Sequence, residues 1–224
     1  VPDRAADAEK IGQARPGGVR RRGMKQYVIT ISREFGALGR TVAQRLSQLL
    51  EVEFWDRDIV EAAAQRMGQS LPLISDVEER AKPSLFRHRR EKMNLASYSI
   101  SDEVFDTECS IIQDAVKQGS CIIVGRCSDY ILREHPNRLS VYLFAPYEQR
   151  IKNCVERLGM DEKTARKTLH DMDLARSYYH RRYCGEAKSV LEYKDLLLDS
   201  SRFGVEGTAQ LIAQVAHRQF DDEA

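Results

Sequence analysis

The residues best suited to chemistry on a phosphate lie in one short stretch, Ser32-Arg33-Glu34-Phe35-Gly36-Ala37-Leu38-Gly39-Arg40-Thr41, between the strand-like run Val28–Ile31 and an amphipathic helix. Glycines let a backbone approach an anion closely, and the free N–H groups and dipole of a helix N-terminus supply positive potential. The phosphate-loop signature G-x-x-x-x-G-K-[ST] is not met, and two registers against it are open. In one, Arg40 stands for the lysine and Glu34 for the first glycine. In the other, Gly39 falls where the lysine stands, Arg40 follows it, and Thr41 closes the loop. Either way the lysine is absent, and the nearby cations are Arg33 and Arg40. The Thr41 hydroxyl can ligate Mg²⁺ or bond back to its own helix. Taken alone, the stretch reads equally as a tight strand-to-helix turn, with Arg33 paired to Glu34.

Two further arginines stand at positions where chemistry would need them. Gly125-Arg126 follows the apolar run Cys121-Ile122-Ile123-Val124, and ligands of open α/β sheets bind beyond the carboxyl ends of strands. Asp173 and Arg176 are three apart in a charged helical stretch, so they share a face and the acid can orient the guanidinium. Tyr178 and Tyr179 suit stacking or packing. The five histidines show no metal-ligand or triad spacing.

The elements that must position these groups follow from periodicity. Val42, Leu46, Leu49 and Leu50 predict a helix from about 39 to 50. Phe54-Trp55 reads as a short strand, and Asp56 can cap a helix that Gly68 stops. Helices are expected over about 104–116, 147–158 and 205–220, and strands at Cys121–Val124, Leu139–Phe144 and Leu196–Leu198. The charged stretch Asp161–Arg182 reads as a helical pair or hairpin. Continuous apolar strands alternating with helices predict a doubly wound α/β fold with a parallel sheet. Residues 1–23 lack hydrophobic periodicity and read as a disordered leader or mis-extended N-terminus, with Met24 a plausible start. No apolar run reaches membrane-spanning length, and the formal net charge of +1 gives no argument for a nucleic-acid or membrane partner. Five scattered cysteines without a C-x-x-C pair fit reduced thiols in a cytoplasmic protein.

From Tyr27 onward the words ITISREFGALGR, FWDRDIVEAAA, CIIVGRCSDYIL, DMDLARSYY and YKDLLLDSSRFGVEG occur in the order found in the cytidylate kinase-like family, which they resemble together. The resemblance implies a P-loop kinase-like three-layer α/β sandwich, with an acceptor-binding helical insertion at about 56–100 and a helical lid at about 160–185. It implies ATP and Mg²⁺ as cofactors, and phosphoryl transfer to a nucleoside monophosphate, CMP or dCMP first. Gly36, Ala37, Gly39, Arg40 and Thr41 would form the donor cradle, with Thr41 toward the metal and Arg150 near the adenine. Asp56, Arg57, Arg126 and Asp173 would serve the acceptor, and Arg40, Arg126 and Arg176 the transferring phosphoryl. The sequence departs from nucleotide kinases at the loop lysine and at Val124, where they carry Asp; Asp129 and Glu34 are the acids that can replace it. Two rivals stay open: a kinase for another small-molecule acceptor, and a nucleotide-binding regulatory module without catalysis. Oligomeric state is not readable.

Overall fold

The computed structural model of the chain describes residues 25–70, 95–185 and 192–221. The leader at 1–23 therefore lies outside the described residues, as do residues 71–94 of the acceptor-binding insertion. Five strands, β1 (Val28–Arg33), β2 (Glu53–Trp55), β3 (Cys121–Val124), β4 (Arg138–Phe144) and β5 (Leu196–Asp199), form one parallel sheet in the order β2-β3-β1-β4-β5. Seven helices accompany them among the described residues: α1 (Gly39–Leu50), α2 (Arg57–Met67), α3 (Leu95–Gln118), α4 (Ser128–Ile131), α5 (Tyr147–Leu158), α6 (Glu162–Tyr183) and α7 (Ser200–Phe220).

The central parts of the strands are largely apolar because both sheet faces are covered. Val28 to Ile31 and Cys121 to Val124 are wholly buried. On one face, Ile29, Ile31, Val124 and Leu143 pack against Val42 and Leu46 of α1 and Ile212, Ala216 and Phe220 of α7. On the other, Val28 and Ile123 meet Ile59 of α2, Ile111 and Ile112 of α3, and Leu132. The layers are thus helix, sheet, helix, and pairing Ile31 with Val124 sets the ends of β1 and β3 side by side.

One expectation is corrected. The stretch 161–182 is one unbroken 22-residue helix, not a hairpin. Its first turn is capped by Asp161, which accepts from Thr164 N–H, and Ala165 and Leu169 pack against Ile151 and Cys154 of α5. The expected helix over about 205–220 is present, and a short helical segment opening at Ser200 leads into it across a kink at Gly204 (φ 64°), a conformation that glycine adopts without a side-chain clash. All five cysteines are unbridged. Among the described residues no helix is long and apolar enough to cross a membrane.

Candidate active site

The segment Glu34–Leu38 leaves β1 and delivers the chain to α1. Its lower side is fastened by groups from β4, α5, α6 and α7. Glu34 N–H donates to Leu143 O (3.0 Å), and Phe35 N–H to Asp173 Oδ1 (2.7 Å). Arg150 donates to Phe35 O (3.3 Å) and to Asp173 Oδ2 (2.5 Å), with its Nε 3.4 Å from Glu34 Oε2. Asn153 donates to Gly36 O (2.8 Å), and the Ser200 hydroxyl to Ala37 O (2.8 Å). Gly36 is glycine for two local reasons. Its φ is 78°, and a Cβ there would stand 2.9 Å from Arg150 O.

The upper side ends in an open helix terminus. Leu38, the N-cap of α1, has φ 57° and provides no side-chain cap, so the first-turn N–H groups keep their outward potential. Arg40 and Thr41 lie exposed in that turn. Beside it, Arg33 at the end of β1 reaches Asp56 at 3.7 Å, and Arg40 reaches the other oxygen of the same carboxylate at 3.5 Å. Asp56 occupies the N-cap position of α2 but makes no cap hydrogen bond; its carboxylate is turned to the arginines. Arg176 crosses from α6 to donate to Arg33 O (3.0 Å), with its guanidinium carbon 5.6 Å from the centre of the Phe35 ring.

Arg126 stands in the turn after β3, where Gly125, Arg126 and Cys127 all have positive φ. Its Nη1 lies 3.3 Å from Glu108 Oε1, while the Tyr179 hydroxyl donates to Glu108 Oε2 at 2.6 Å. Glu108 is wholly buried, and that burial, opposed by the tyrosine bond, lifts its carboxyl to about 7. Burial, and next to it the charge of Arg33, brings Arg176 down to about 9. Arg126 falls to about 10, chiefly through burial, with Arg33 again pressing it down. Both of these guanidiniums are still charged at neutral pH. Like charges held together away from water make a site that an anion stabilises strongly.

A second buried charge group lies alongside. Asp129, 1% exposed, pairs with Lys194 and with His180 at 3.4 Å, and Lys194 donates to Ser32 Oγ at 2.9 Å. Burial raises the Asp129 carboxyl, but His180 and Lys194 outweigh it and hold it at about 2. The bond to Asp129 lifts His180 to about 9. Among the described residues no cluster of three or more His, Cys, Asp or Glu side chains is arranged to hold a metal.

The expected residues thus separate into two sets. Arg40, Arg126, Arg176 and Asp56 converge around Arg33. Arg150 and Asp173 lie below, where Asp173 receives Arg150 and Phe35 N–H rather than orienting Arg176. Ala37 is fully buried, and Gly39 faces Arg33. Arg57 opens α2, and its side chain lies outside the described residues. Val124 is core, and Asp129 and Glu34 are both engaged elsewhere. Arg33 pairs with Asp56, not with Glu34. Glu108 went unnoticed, although an acid on the stripe Val104, Glu108, Ile111, Ile112, Ala115 is a legible signal of a buried charge. Lys194 gave no signal.

The chain matches the cytidylate kinase-like family over residues 28–202. Among solved structures it is similar to an uncharacterised protein from Eubacterium ventriosum, at 23% identity and TM-score 0.62, covering 85% of this chain and 98% of that one. Two shikimate kinases are also similar. That of Acinetobacter baumannii, in complex with shikimate, is 16% identical (TM-score 0.48, 86% and 93% covered). That of Bacteroides thetaiotaomicron is 13% identical (TM-score 0.49, 85% and 98% covered). No curated protein matches the sequence. The parallel sheet, the strand–loop–helix at its centre and a family match spanning most of the chain agree, and the chain belongs to the cytidylate kinase-like family.

Proposed function

We propose that this protein transfers the γ-phosphoryl of ATP to a nucleoside monophosphate, CMP or dCMP first. The observation that carries the reading is the gathering of Arg33, Arg40, Arg126 and Arg176 about the uncapped start of α1, with Asp56 among them. Family and fold support phosphotransfer of the kinase type. The donor phosphates would lie on the Gly36–Thr41 backbone with Arg40 alongside. Arg126 and Arg176 would hold the transferring group and the acceptor phosphate, with Asp56 and Arg57 on the acceptor side. Arg150 and Asp173 act as positioning residues, fixing the loop from below. The bond from the γ-phosphorus to the β-bridging oxygen breaks as a bond to an acceptor phosphate oxygen forms. That oxygen is ionised at neutral pH, so no base is required, and positioning with charge neutralisation does the catalysis. Mg²⁺, arriving with the nucleotide, would neutralise β/γ oxygens, and the exposed Thr41 hydroxyl is the loop group available to it.

A second reading is transfer to another small-molecule acceptor, such as an alcohol, which the kinase-type family supports equally.

The test is phosphoryl transfer from Mg-ATP across a panel of nucleoside monophosphates and small alcohols, with Arg126→Ala as control. Turnover with CMP or dCMP, lost in the control, supports the first reading, and turnover with an alcohol alone supports the second. ATP binding without any transfer would make the protein a nucleotide-binding module.

A further inference from the structure

Backbone conformation separates the two registers. Gly36 (φ 78°) is left-handed in either, but of the two candidates for the second glycine Leu38 has φ 57°, while Gly39 is an ordinary helical residue. Such a conformation belongs to the glycine of a loop rather than to the first residue of a helix. The structure therefore sets Leu38 under the second glycine of G-x-x-x-x-G-K-[ST] and Gly39 under the lysine. Arg33 then stands under the first glycine, so cation and glycine have traded ends of the loop.

The geometry shows what fills the place of the lost lysine side chain. A Cβ on Gly39 would stand 2.8 Å from Arg33 Cγ and 3.0 Å from its Cβ, so the stem of Arg33 runs directly over the Gly39 Cα. Beyond it, a Cβ on Gly125 would overlap Arg33 Nη1. The arginine is threaded between two glycines from different strand-to-helix turns, and a side chain on either would displace it. Its guanidinium donates no hydrogen bond among the described residues, and Asp56 at 3.7 Å is beyond hydrogen-bonding distance. Arg40 is 54% exposed, whereas Arg33 is 20% exposed and lies against Arg126 and Arg176 in the electrostatics of the site. A planar guanidinium with free N–H groups suits two phosphate oxygens at once.

We infer that Arg33 is the cation that binds the donor phosphates, doing from the strand end what the lysine does from the helix start, and that Gly39 and Gly125 are glycines to admit it. This rests on the kinase reading above.

The experiment is calorimetric binding of ATP, and of inorganic triphosphate as a probe without base or sugar, to the full chain. Wild type is compared with Arg33→Met, Arg40→Met and the exchange Arg33→Gly with Gly39→Lys. Arg33→Met is expected to lower both affinities roughly 30-fold, the size of a charge-assisted hydrogen-bond pair, and Arg40→Met by less than about fivefold. The exchange should recover most of the loss. Should Arg33→Met not fold, Arg33→Lys serves instead, with a loss of about tenfold and an unchanged affinity for the acceptor nucleotide. Wild-type affinity in the Arg33 variants with a large loss in Arg40→Met would overturn the inference alone. A wild-type chain that binds neither ATP nor triphosphate would overturn the kinase reading and this inference with it.

Discussion

Below the Glu34–Leu38 loop, Asp173, Arg150, Asn153 and Ser200 answer its backbone groups one by one, and acids and bases alternate. Above it, Arg33, Arg40, Arg126 and Arg176 share Asp56, while Glu108 beside Arg126 is close to losing its charge. The lower region is balanced and holds shape; the upper is unbalanced and holds binding potential. A loop pressed against a surplus of positive charge needs the first to sustain the second. A residue's contribution to stability or to chemistry can therefore be read from the side of the loop it serves.

Substitutions on the two sides should part in kind. Arg176→Ala is expected to lower turnover by about 10³-fold, the scale of an arginine on a transferring phosphoryl. Its urea midpoint should stay close to wild type, since a charge repelled by Arg33 is removed. Equal losses of stability and turnover would dissolve the distinction. Asp173→Ala leaves Arg150 and the Phe35 N–H without their acceptor and should cost about 3 kcal/mol in urea unfolding. An unchanged midpoint would show that the lower network is ornamental.

The pH dependence of stability sharpens the contrast with smaller effects. Glu108 is raised to about 7 in the fold, so the native state holds its proton more tightly than the unfolded chain. Its contribution is present below the ordinary carboxylate range and is lost as pH rises to about 7. Glu108→Gln should flatten that decline. His180, raised to about 9, contributes stability below about 6.5 that disappears as pH climbs through 9. His180→Gln should flatten this later window and leave the earlier one, as followed by thermal melts from pH 4 to 10.

Local pattern carried the strands and helices because burial on both faces leaves a run of β-branched and apolar residues, nearly unbroken in Val28–Ile31 and unbroken in Cys121–Val124. It also marked Arg126 through its place after β3. What stayed hidden depends on contacts between distant parts of the chain. Asp173 looked like a partner for Arg176 because spacing reports neighbours on one helix, but its partners come from the loop and from α5. Gly39 looked like a ligand-facing glycine, whereas the steric demand on it comes from Arg33, which no spacing rule connects to it. The charge of 161–182 suggested a broken helix, yet many of its acids and bases are met by neighbouring elements, as Arg166 by Glu148 and Arg182 by Asp102.

The sheet order has a bearing on how the protein is made. β1 comes first among the strands but third across the sheet, and its two neighbours, β3 and β4, begin only at Cys121 and Arg138. The groups that fasten the loop run from Leu143 to Ser200. During synthesis, therefore, the Val28–Ile31 segment must wait unpaired until more than half of the chain has emerged, a costly delay for a segment that is wholly buried in the finished sheet. Assembly of the loop is thereby tied to the arrival of the last helix, so a partly synthesised chain contains the phosphate-loop sequence without a loop able to hold its form.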